Sequence, residues 1–237
     1  MRTVVPLPPV PSLAVVGTDA RFPVRRIFCV GRNYAKHALE MGADPERSPP
    51  FFFAKPADAV LDADPALGAS VPYPPLTEDL HHEVELVVAI GTGGADIAPD
   101  DALDHVFGYG VALDLTRRDL QAAAKKDGRP WHDAKGFDHS APASALQPVA
   151  AVGHPRAGRI WLSVDGETRQ DADLNELIWP VADVLAHLSR SVRLAPGDLV
   201  LTGTPAGVGP LQPGQRIVAG VEDVALLSVT IGPRSHG

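Results

Sequence analysis

HHEVELVVAI at residues 81–90 and FGYGVALDLT at residues 107–116 are the stretches that decide the fold. The first is an apolar run followed by the turn GTGG, and the second alternates small with large apolar residues, so both predict core strands. Side chains alternate faces along a strand, so Glu83 and Glu85 lie on one face, about 7 Å apart. Asp114 shares its face with small residues only, while the other face carries the large ones. The sequence therefore predicts core strands that present carboxylates.

These carboxylates predict a metal site. Neighbouring carboxylates repel one another, and a buried one is unstable unless it is paired or bound to a cation. A solvated strand face is the alternative for Glu83 and Glu85, but the unbroken apolar run after them argues against it. With Asp114, and without Cys or His, the set suits a hard cation, Mg²⁺ or Mn²⁺.

Composition limits the class of protein. A chain of 237 residues with 45% hydrophobic residues is large enough for one sizeable core, and 24 prolines and 22 glycines favour a β-rich fold. The net charge of −8 argues against a nucleic-acid partner. Cys29 is the only cysteine, lies in an apolar run and is expected to be a buried thiol. No segment resembles a signal peptide or a membrane span, so the protein is expected to be cytoplasmic, with no membrane partner.

The remaining pattern predicts many strands and few, short helices. Residues 1–24 are expected to form an N-terminal arm, either irregular or a small strand pair, ahead of a catalytic domain at 25–237. A helix is expected after Thr116, which with Asp119 has the spacing of a capping box, and Asn33 is expected to cap a helix that Gly42 ends. Residues 56–80 are predicted to be loop-rich. Further strands are predicted at 26–30, 51–54, 160–165, 198–202, 216–219 and 224–231, and further helices at 34–41, 99–105 and 179–190. The fold class predicted is α+β and β-rich, a mixed β-roll or sandwich.

Several polar residues are candidates for chemistry. His37 and Glu40 are three residues apart on a short helix, so a carboxylate on the same face can fix the imidazole tautomer. This pattern also arises by chance on surface helices. Arg118 lies in a first helical turn, where its charge opposes the helix dipole, so it pairs with Asp119, is simply exposed, or holds an anion. Lys55 and Lys135 lie among apolar or small residues, where lysines are usually paired or extend to solvent.

The glycine-rich loop LTGTPAGVGP lacks the ending of a phosphate-binding loop, so nucleotide binding is not expected. Its backbone N–H groups and the Thr204 hydroxyl are suited to holding a carboxylate.

Taken in order, six motifs resemble the fumarylacetoacetate hydrolase family over about residues 25–232. The likeness is greatest to its fumarylpyruvate hydrolase and acylpyruvase branches. The motifs are GRNYAKH at 31–37, FFFAKP at 51–56, HHEVEL at 81–86, LDLTRRDLQ at 113–121, AKGFDHSAP at 134–142 and LTGTPAGVG at 201–209.

The resemblance implies roles for individual residues. Glu83, Glu85 and Asp114 would be the Mg²⁺ ligands, and His37 with Glu40, on a lid helix, would activate water. Lys135 would lie beside the metal. The residues that would bind substrate or steady the lid are Arg118, Gln121 and Thr204. The family fold is a mixed β-roll, usually a homodimer.

The resemblance also implies the reaction. It is Mg²⁺-dependent hydrolysis of a carbon–carbon bond in an acylpyruvate, a small 2-oxo acid, with fumarylpyruvate in gentisate breakdown preferred. Oxaloacetate decarboxylation and 2-oxo acid isomerisation are alternatives on the same metal site, and a non-catalytic cation-binding β module is a different class. A fumaryl group would need a distal cation, and the sequence does not separate the candidates Arg32, Lys125, Lys126 and Arg129.

Overall fold

The computed structural model describes residues 3–40 and 49–234, which form a β-rich α+β fold. The strands are β1 Ser12–Ala14, β2 Arg21–Pro23, β3 Arg26–Gly31, β4 Phe51–Lys55, β5 Val60–Asp62, β6 Ala69–Tyr73, β7 Leu80–His82, β8 Val84–Ile90, β9 Val106–Leu113, β10 Thr116–Arg117, β11 Ala141–Ala143, β12 Gln147–Pro148, β13 Arg159–Val164, β14 Glu167–Asp173, β15 Asp198–Leu201, β16 Gly209–Pro210, β17 Arg216–Val221 and β18 Ala225–Arg234.

The helices are short. The α-helices are α1 Ala35–Glu40, α2 Arg118–Asp127, α3 His132–Lys135, α4 Val149–Val152 and α5 Val181–Ser191. The 3-10 helices are Ala57–Ala59, Pro65–Leu67, Pro99–His105 and Leu174–Glu176. Within the described residues, no helix has the length and apolar content that crossing a bilayer requires.

Two sheets pack face to face around the main core. The larger mixed sheet has the order β4-β3-β15-β8-β9-β11-β5, with β12 also paired to β9, and the second has the order β14-β13-β17-β18-β6. One face of β8 and β9 meets the second sheet and α5, with side chains such as Leu86 and Val111 fully buried between them. Burying such side chains contributes about 1.5–3 kcal/mol each.

The opposite face of the larger sheet carries a second core. The hairpin of β1 and β2 packs there, and its Leu13 is completely buried against Val87, Ala112 and Leu146. The predicted N-terminal arm therefore contains a strand pair. It closes the face of β8 and β9 from which the acids project.

The predicted alternation of small and large residues along β9 is present in the structure, which also shows what the small residues accommodate. Its large residues face the main core and its small ones face the second, as alternation predicts. The small residues admit protein backbone. A Cβ on Gly108 would lie 2.3 Å from the carbonyl oxygen of Gln147, and one on Gly110 would lie 3.0 Å from Ser144 Oγ. The chain at 141–148 therefore occupies the space above β9.

Three local predictions are wrong or incomplete. The Asn33 side chain bonds to Trp179 and to the Thr202 carbonyl, so it does not cap a helix. The Thr116 hydroxyl donates to the Asp114 carbonyl, so it does not cap α2. The stretch 56–80, predicted to be loop-rich, contains the strands β5 and β6. The edge strand β14 was not predicted, because its sequence, ETRQDAD, is almost entirely polar. Gly42, predicted to end the first helix, lies outside the described residues.

Candidate active site

Three buried carboxylates meet where β8 and β9 are paired. Glu83 lies between β7 and β8, Glu85 lies two residues further on, and Asp114 follows the last residue of β9. The Asp114 N–H donates to the Glu83 carbonyl at 2.8 Å, which fixes the two chains side by side. One carboxylate oxygen from each acid lies within 4.8 Å of the others. The three residues are at most 4% exposed.

Lys135 partly balances this negative charge. Its Nζ donates to Glu83 Oε2 at 2.7 Å and to Asp114 Oδ2 at 2.6 Å. Burial alone would lower the pKa of Lys135, but the charges of Asp114 and Glu83 outweigh burial and raise it well above the usual value. Burial alone would raise the pKa of Glu83, but Lys135 and Arg118 outweigh it and lower it. Lys135 and Glu83 are therefore both charged at neutral pH.

The pKa of the third acid, Glu85, shifts in the opposite direction to that of Glu83. Burial, with the charges of Asp114 and Glu83 added, raises the pKa of Glu85 well above its usual value. Its Oε2 accepts one hydrogen bond, from the Gly203 N–H at 2.7 Å. A positive charge between the acids is what this carboxyl needs in order to ionise.

The residues present fit a hard divalent cation. All ligand atoms offered are carboxylate oxygens, the donors that Mg²⁺ and Mn²⁺ prefer. Within the described residues, Asp114 Oδ1 is buried and forms no hydrogen bond, and Lys55 Nζ forms an ion pair with it at 2.8 Å. The hydrogen bonds of Lys55 go to the carbonyls of Leu115 and Lys135. A carboxylate oxygen without a hydrogen bond keeps its lone pairs available to a metal.

Arg118 and Gln121 project from the first turns of α2 towards the same acids. Arg118 Nη2 donates to Glu83 Oε1 at 2.5 Å, and its Nη1 donates to Gln121 Oε1 at 2.6 Å. Positive charge at a helix N-terminus is unfavourable, and the pairing with Glu83 offsets that effect. Arg118 therefore has an acidic partner, though not the Asp119 considered from the sequence.

His37 lies in the same cleft, on α1, and is 6% exposed. Its Nδ1 lies 3.6 Å from Glu40 Oε2, which is longer than a hydrogen bond, and among the described residues Nδ1 has no other partner. Burial lowers the pKa of His37, and this effect outweighs the opposing charges of Glu83 and Glu40. The imidazole is therefore neutral at pH 7 and able to accept a proton. Glu40 also accepts a hydrogen bond from the Gly207 N–H at 3.1 Å.

Gln170 holds the glycine-rich loop beside the acids. This residue of β14 is completely buried, and its Nε2 donates to Thr204 Oγ1 and to the Pro205 carbonyl, each at 2.8 Å. Its Oε1 accepts from the Val84 N–H at 3.1 Å and contacts the His82 ring nitrogen. The loop bearing Thr204 and the start of β8 are thus held by one amide. No sequence signal pointed to Gln170.

The structure brings eight of the nine predicted site residues to one cleft, and Glu40 lies behind His37. Beside Val30 and Gly31, the rest of the cleft is an aromatic and basic wall that consists of Arg32, Phe51, Phe53, Lys125 and Trp131.

The chain resembles known proteins in both sequence and fold. The family description "Fumarylacetoacetate (FAA) hydrolase C-terminal" matches residues 26–232, nearly the whole chain. The chain belongs to the fumarylacetoacetate hydrolase family. This confirms the family and the fold that the six motifs predicted, and the chain is an enzyme of this family.

Individual family members differ in their named activities. The chain is 45% identical over 197 residues to the mitochondrial oxaloacetate tautomerase FAHD1 of Arabidopsis thaliana, covering 83% of this chain and 86% of that protein. It is 41% identical over 183 residues to a fumarylpyruvate hydrolase of a Ralstonia species, covering 77% and 93%.

A solved member of the family has nearly the same fold. This is the crystal structure of fumarylpyruvate hydrolase from Pseudomonas aeruginosa in complex with Mn²⁺ and pyruvate. Its TM-score is 0.96 at 50% identity, and the match covers 98% of this chain and all of that one.

Proposed function

We propose that this protein is an Mg²⁺-dependent acylpyruvate hydrolase whose preferred substrate is fumarylpyruvate, cleaved to fumarate and pyruvate. The observation that carries the proposal is that a buried neutral imidazole, with a carboxylate behind it, shares one cleft with the acid cluster. Two relatives named fumarylpyruvate hydrolase, one of them solved with Mn²⁺ and pyruvate, support the same reaction.

Glu83, Glu85 and Asp114 would hold the cation, with Mn²⁺ as the alternative to Mg²⁺. When bound, the cation supplies Lewis-acid polarisation of the 2-oxo acid. Lys135 lies against two of these acids, so its ammonium offers positive charge beside the oxygens of the substrate. Arg118, Gln121 and the Thr204 hydroxyl would bind and orient the 2-oxo acid.

His37 would act as the general base. Its imidazole takes a proton from water, and the water oxygen bonds to the carbonyl carbon of the acyl group. The bond between that carbon and the methylene carbon of the pyruvate half then breaks. The bonding electron pair leaves with the pyruvate enolate, which takes up a proton to give pyruvate. Glu40 would close its 3.6 Å gap to His37 when substrate binds, as catalytic hydrogen bonds commonly do.

Isomerisation of oxaloacetate is the second candidate, favoured by the 45% identity to an oxaloacetate tautomerase. Keto–enol conversion and decarboxylation both use an enolate but no attacking water. Hydrolysis of an acylpyruvate therefore needs His37 to deprotonate water, whereas the isomerisation and the decarboxylation of oxaloacetate do not.

The experiment compares fumarylpyruvate, acetylpyruvate and oxaloacetate as substrates with Mg²⁺ present and after chelation. Wild-type protein should hydrolyse fumarylpyruvate fastest and lose turnover on chelation. His37→Ala should slow hydrolysis by about 10²–10⁴-fold, the usual contribution of a general base. His105→Ala removes an imidazole outside the cleft and should change nothing. Wild-type turnover confined to oxaloacetate would reject the hydrolase.

Assembly, location and pathway form the rest of the proposal. On the family resemblance we propose a homodimer that works in the cytoplasm in the breakdown of gentisate. Size-exclusion chromatography with light scattering measures the first of these directly.

A further inference from the structure

Two cations of the cleft have no acidic partner among residues 3–40 and 49–234. Arg32 and Lys125 line the same cleft as the acid cluster, yet across the described chain neither forms an ion pair. The other basic residues of the cleft, Arg118 and Lys135, are paired with its acids. The charges of Arg32 and Lys125 are therefore available to a bound anion.

Aromatic rings fix the position of both cations. The Arg32 guanidinium carbon lies 5.6 Å from the centre of the Phe51 ring, and Lys125 Nζ lies 5.2 Å from that of Trp131. The two rings contact each other edge to face, with their centres 5.5 Å apart. A cation–π contact orients a charged group without neutralising it. The two cations thus share one aromatic wall.

Helix α2 sets the distance between this wall and the acids. Arg118, Gln121 and Lys125 are spaced by three and four residues, so they lie along one face of the helix. Arg118 is bonded to Glu83, whereas Lys125 lies two turns further on, about 10 Å along the axis. An extended seven-carbon chain spans roughly 8 Å between its end carbons at about 1.5 Å per bond.

The electrostatics of the cleft favour an anion at this place. Burial lowers the pKa of Lys125, and the like charges of Arg118 and Arg32 lower it further. A carboxylate placed between Arg32 and Lys125 would relieve this repulsion. Lys126, one residue along, is exposed and does not line the cleft, and Arg129 lies 3.6 Å from Asp127.

We propose that Arg32 and Lys125 form a subsite for a second carboxylate, at the end of the substrate far from the acid cluster. The inference rests on the proposed function, since it assumes that the 2-oxo acid end lies at the acid cluster. The substrate class is then a 2-oxo acid with a terminal carboxylate on a chain of about seven carbons. Acetylpyruvate lacks that carboxylate, and the two carboxylates of oxaloacetate are too close together to reach both places.

The first test is the ratio of kcat/KM for fumarylpyruvate to kcat/KM for acetylpyruvate. Lys125→Met keeps the length of the side chain without its charge, and should lower the ratio about tenfold. Arg32→Asn should act in the same direction, because Asn tolerates the left-handed backbone found there, φ 59°. Lys126→Met is the matched control and should leave the ratio within about twofold. An unchanged ratio in Lys125→Met and Arg32→Asn overturns the subsite, as does an equal loss on both substrates.

A second test does not depend on hydrolysis. 2-Oxoheptanedioate and 2-oxoheptanoate match the chain length of fumarylpyruvate, cannot be cleaved in the same way and differ only in the terminal carboxylate. Calorimetry with Mg²⁺-loaded protein should show about tenfold tighter binding of the dicarboxylate, and Lys125→Met should remove that difference. Equal affinities in the wild type reject the subsite. Tighter dicarboxylate binding without hydrolysis of fumarylpyruvate would reject the proposed function and keep the subsite.

Discussion

Lys135 is the residue that lets three carboxylates share one buried site. Its ammonium bonds to Glu83 and Asp114, so negative charge that would otherwise repel is compensated within the protein. Removing one partner of a buried ion pair typically destabilises by about 3–5 kcal/mol, because the other charge is left uncompensated. The charge of Lys135 is thus part of the fold as well as of the proposed chemistry.

The proposed base makes a prediction about pH. His37 accepts a proton only when neutral, and burial lowers the pKa of His37 below its usual 6.5. Activity should therefore fall as pH decreases through a value below 6.5. Glu40 raises the pKa of His37, so Glu40→Gln should move this acid limb to still lower pH and reduce the plateau kcat by about tenfold.

The measurement is a pH profile of kcat/KM, which reports ionisations of the free enzyme, together with the plateau kcat, for the wild type and Glu40→Gln. Glu167→Gln, an exposed acid paired with Arg169, serves as the control and should leave the profile unchanged. An acid limb that moves to higher pH in Glu40→Gln would show that Glu40 does not raise the pKa of His37.

For individual residues, the sequence predicted those neighbours in the site that depend only on local spacing. Glu83 and Glu85 share a face because they are two residues apart in an extended chain, and His37 and Glu40 are neighbours on a helix. The sequence did not predict that Arg118 pairs with Glu83 or that Gln170 holds Thr204. Both contacts join residues far apart in the chain, and the identity of an arginine or a glutamine does not indicate which distant residue it contacts.

At the scale of elements, the loop between β15 and β16 connects the acid cluster to α1. Gly203 N–H donates to Glu85 and Gly207 N–H donates to Glu40, so one glycine-rich segment holds both groups. Gly207 has φ +94°, and a Cβ there would lie 2.1 Å from the Arg169 carbonyl oxygen. This position therefore requires glycine both for its backbone conformation and for the close approach of β14.

Gly207→Ala should lower both stability and turnover, because the loop must shift and Glu40 loses its donor. Gly214→Ala is the matched control, since Gly214 has φ +90° but open space around its Cα. The control should lose about 1 kcal/mol of unfolding free energy from strain alone and keep its kcat. Urea unfolding and kcat measured on folded protein separate the two effects. Equal values for the two variants would rule out a role for the Gly207 contacts.

Burial explains which strands could be predicted from the sequence. The strands β3, β8, β9, β15 and β18 were predicted because their apolar residues face a core, whereas β14 was missed because it lies at an edge and is mostly exposed. The capping pattern at Thr116 was misleading, since Asp119 accepts hydrogen bonds from Thr77 and Glu78 of a neighbouring loop. Tertiary contacts here override a local signal.

Across the whole molecule, the second sheet supports the active site from behind. Gln170 reaches from β14 to the start of β8 and to the Thr204 loop, so one buried amide links the second sheet to the active site. The mixed β-roll predicted from the sequence has this general form, but the order of strands in each sheet was not predictable, because it depends on pairings between distant segments.

Gln170→Leu should test this link. The change leaves the Val84 N–H and the Thr204 hydroxyl without their partner, at a cost of about 1–3 kcal/mol for each buried group. Unfolding free energy should fall by roughly 3 kcal/mol, and KM should rise because Thr204 is no longer held. Gln212→Leu, at an exposed position, should change stability by less than about 0.5 kcal/mol. A stable variant with unchanged KM would contradict the link.

The internal counter-charge of the acid cluster also bears on how the protein is handled. A domain whose metal ligands have no other partners collapses when a chelator removes the ion. Here two ammonium groups and a guanidinium already engage two of the three acids, and two apolar cores surround them. We therefore expect the metal-free protein to stay folded, so that it can be purified in chelator and loaded afterwards with the ion of choice.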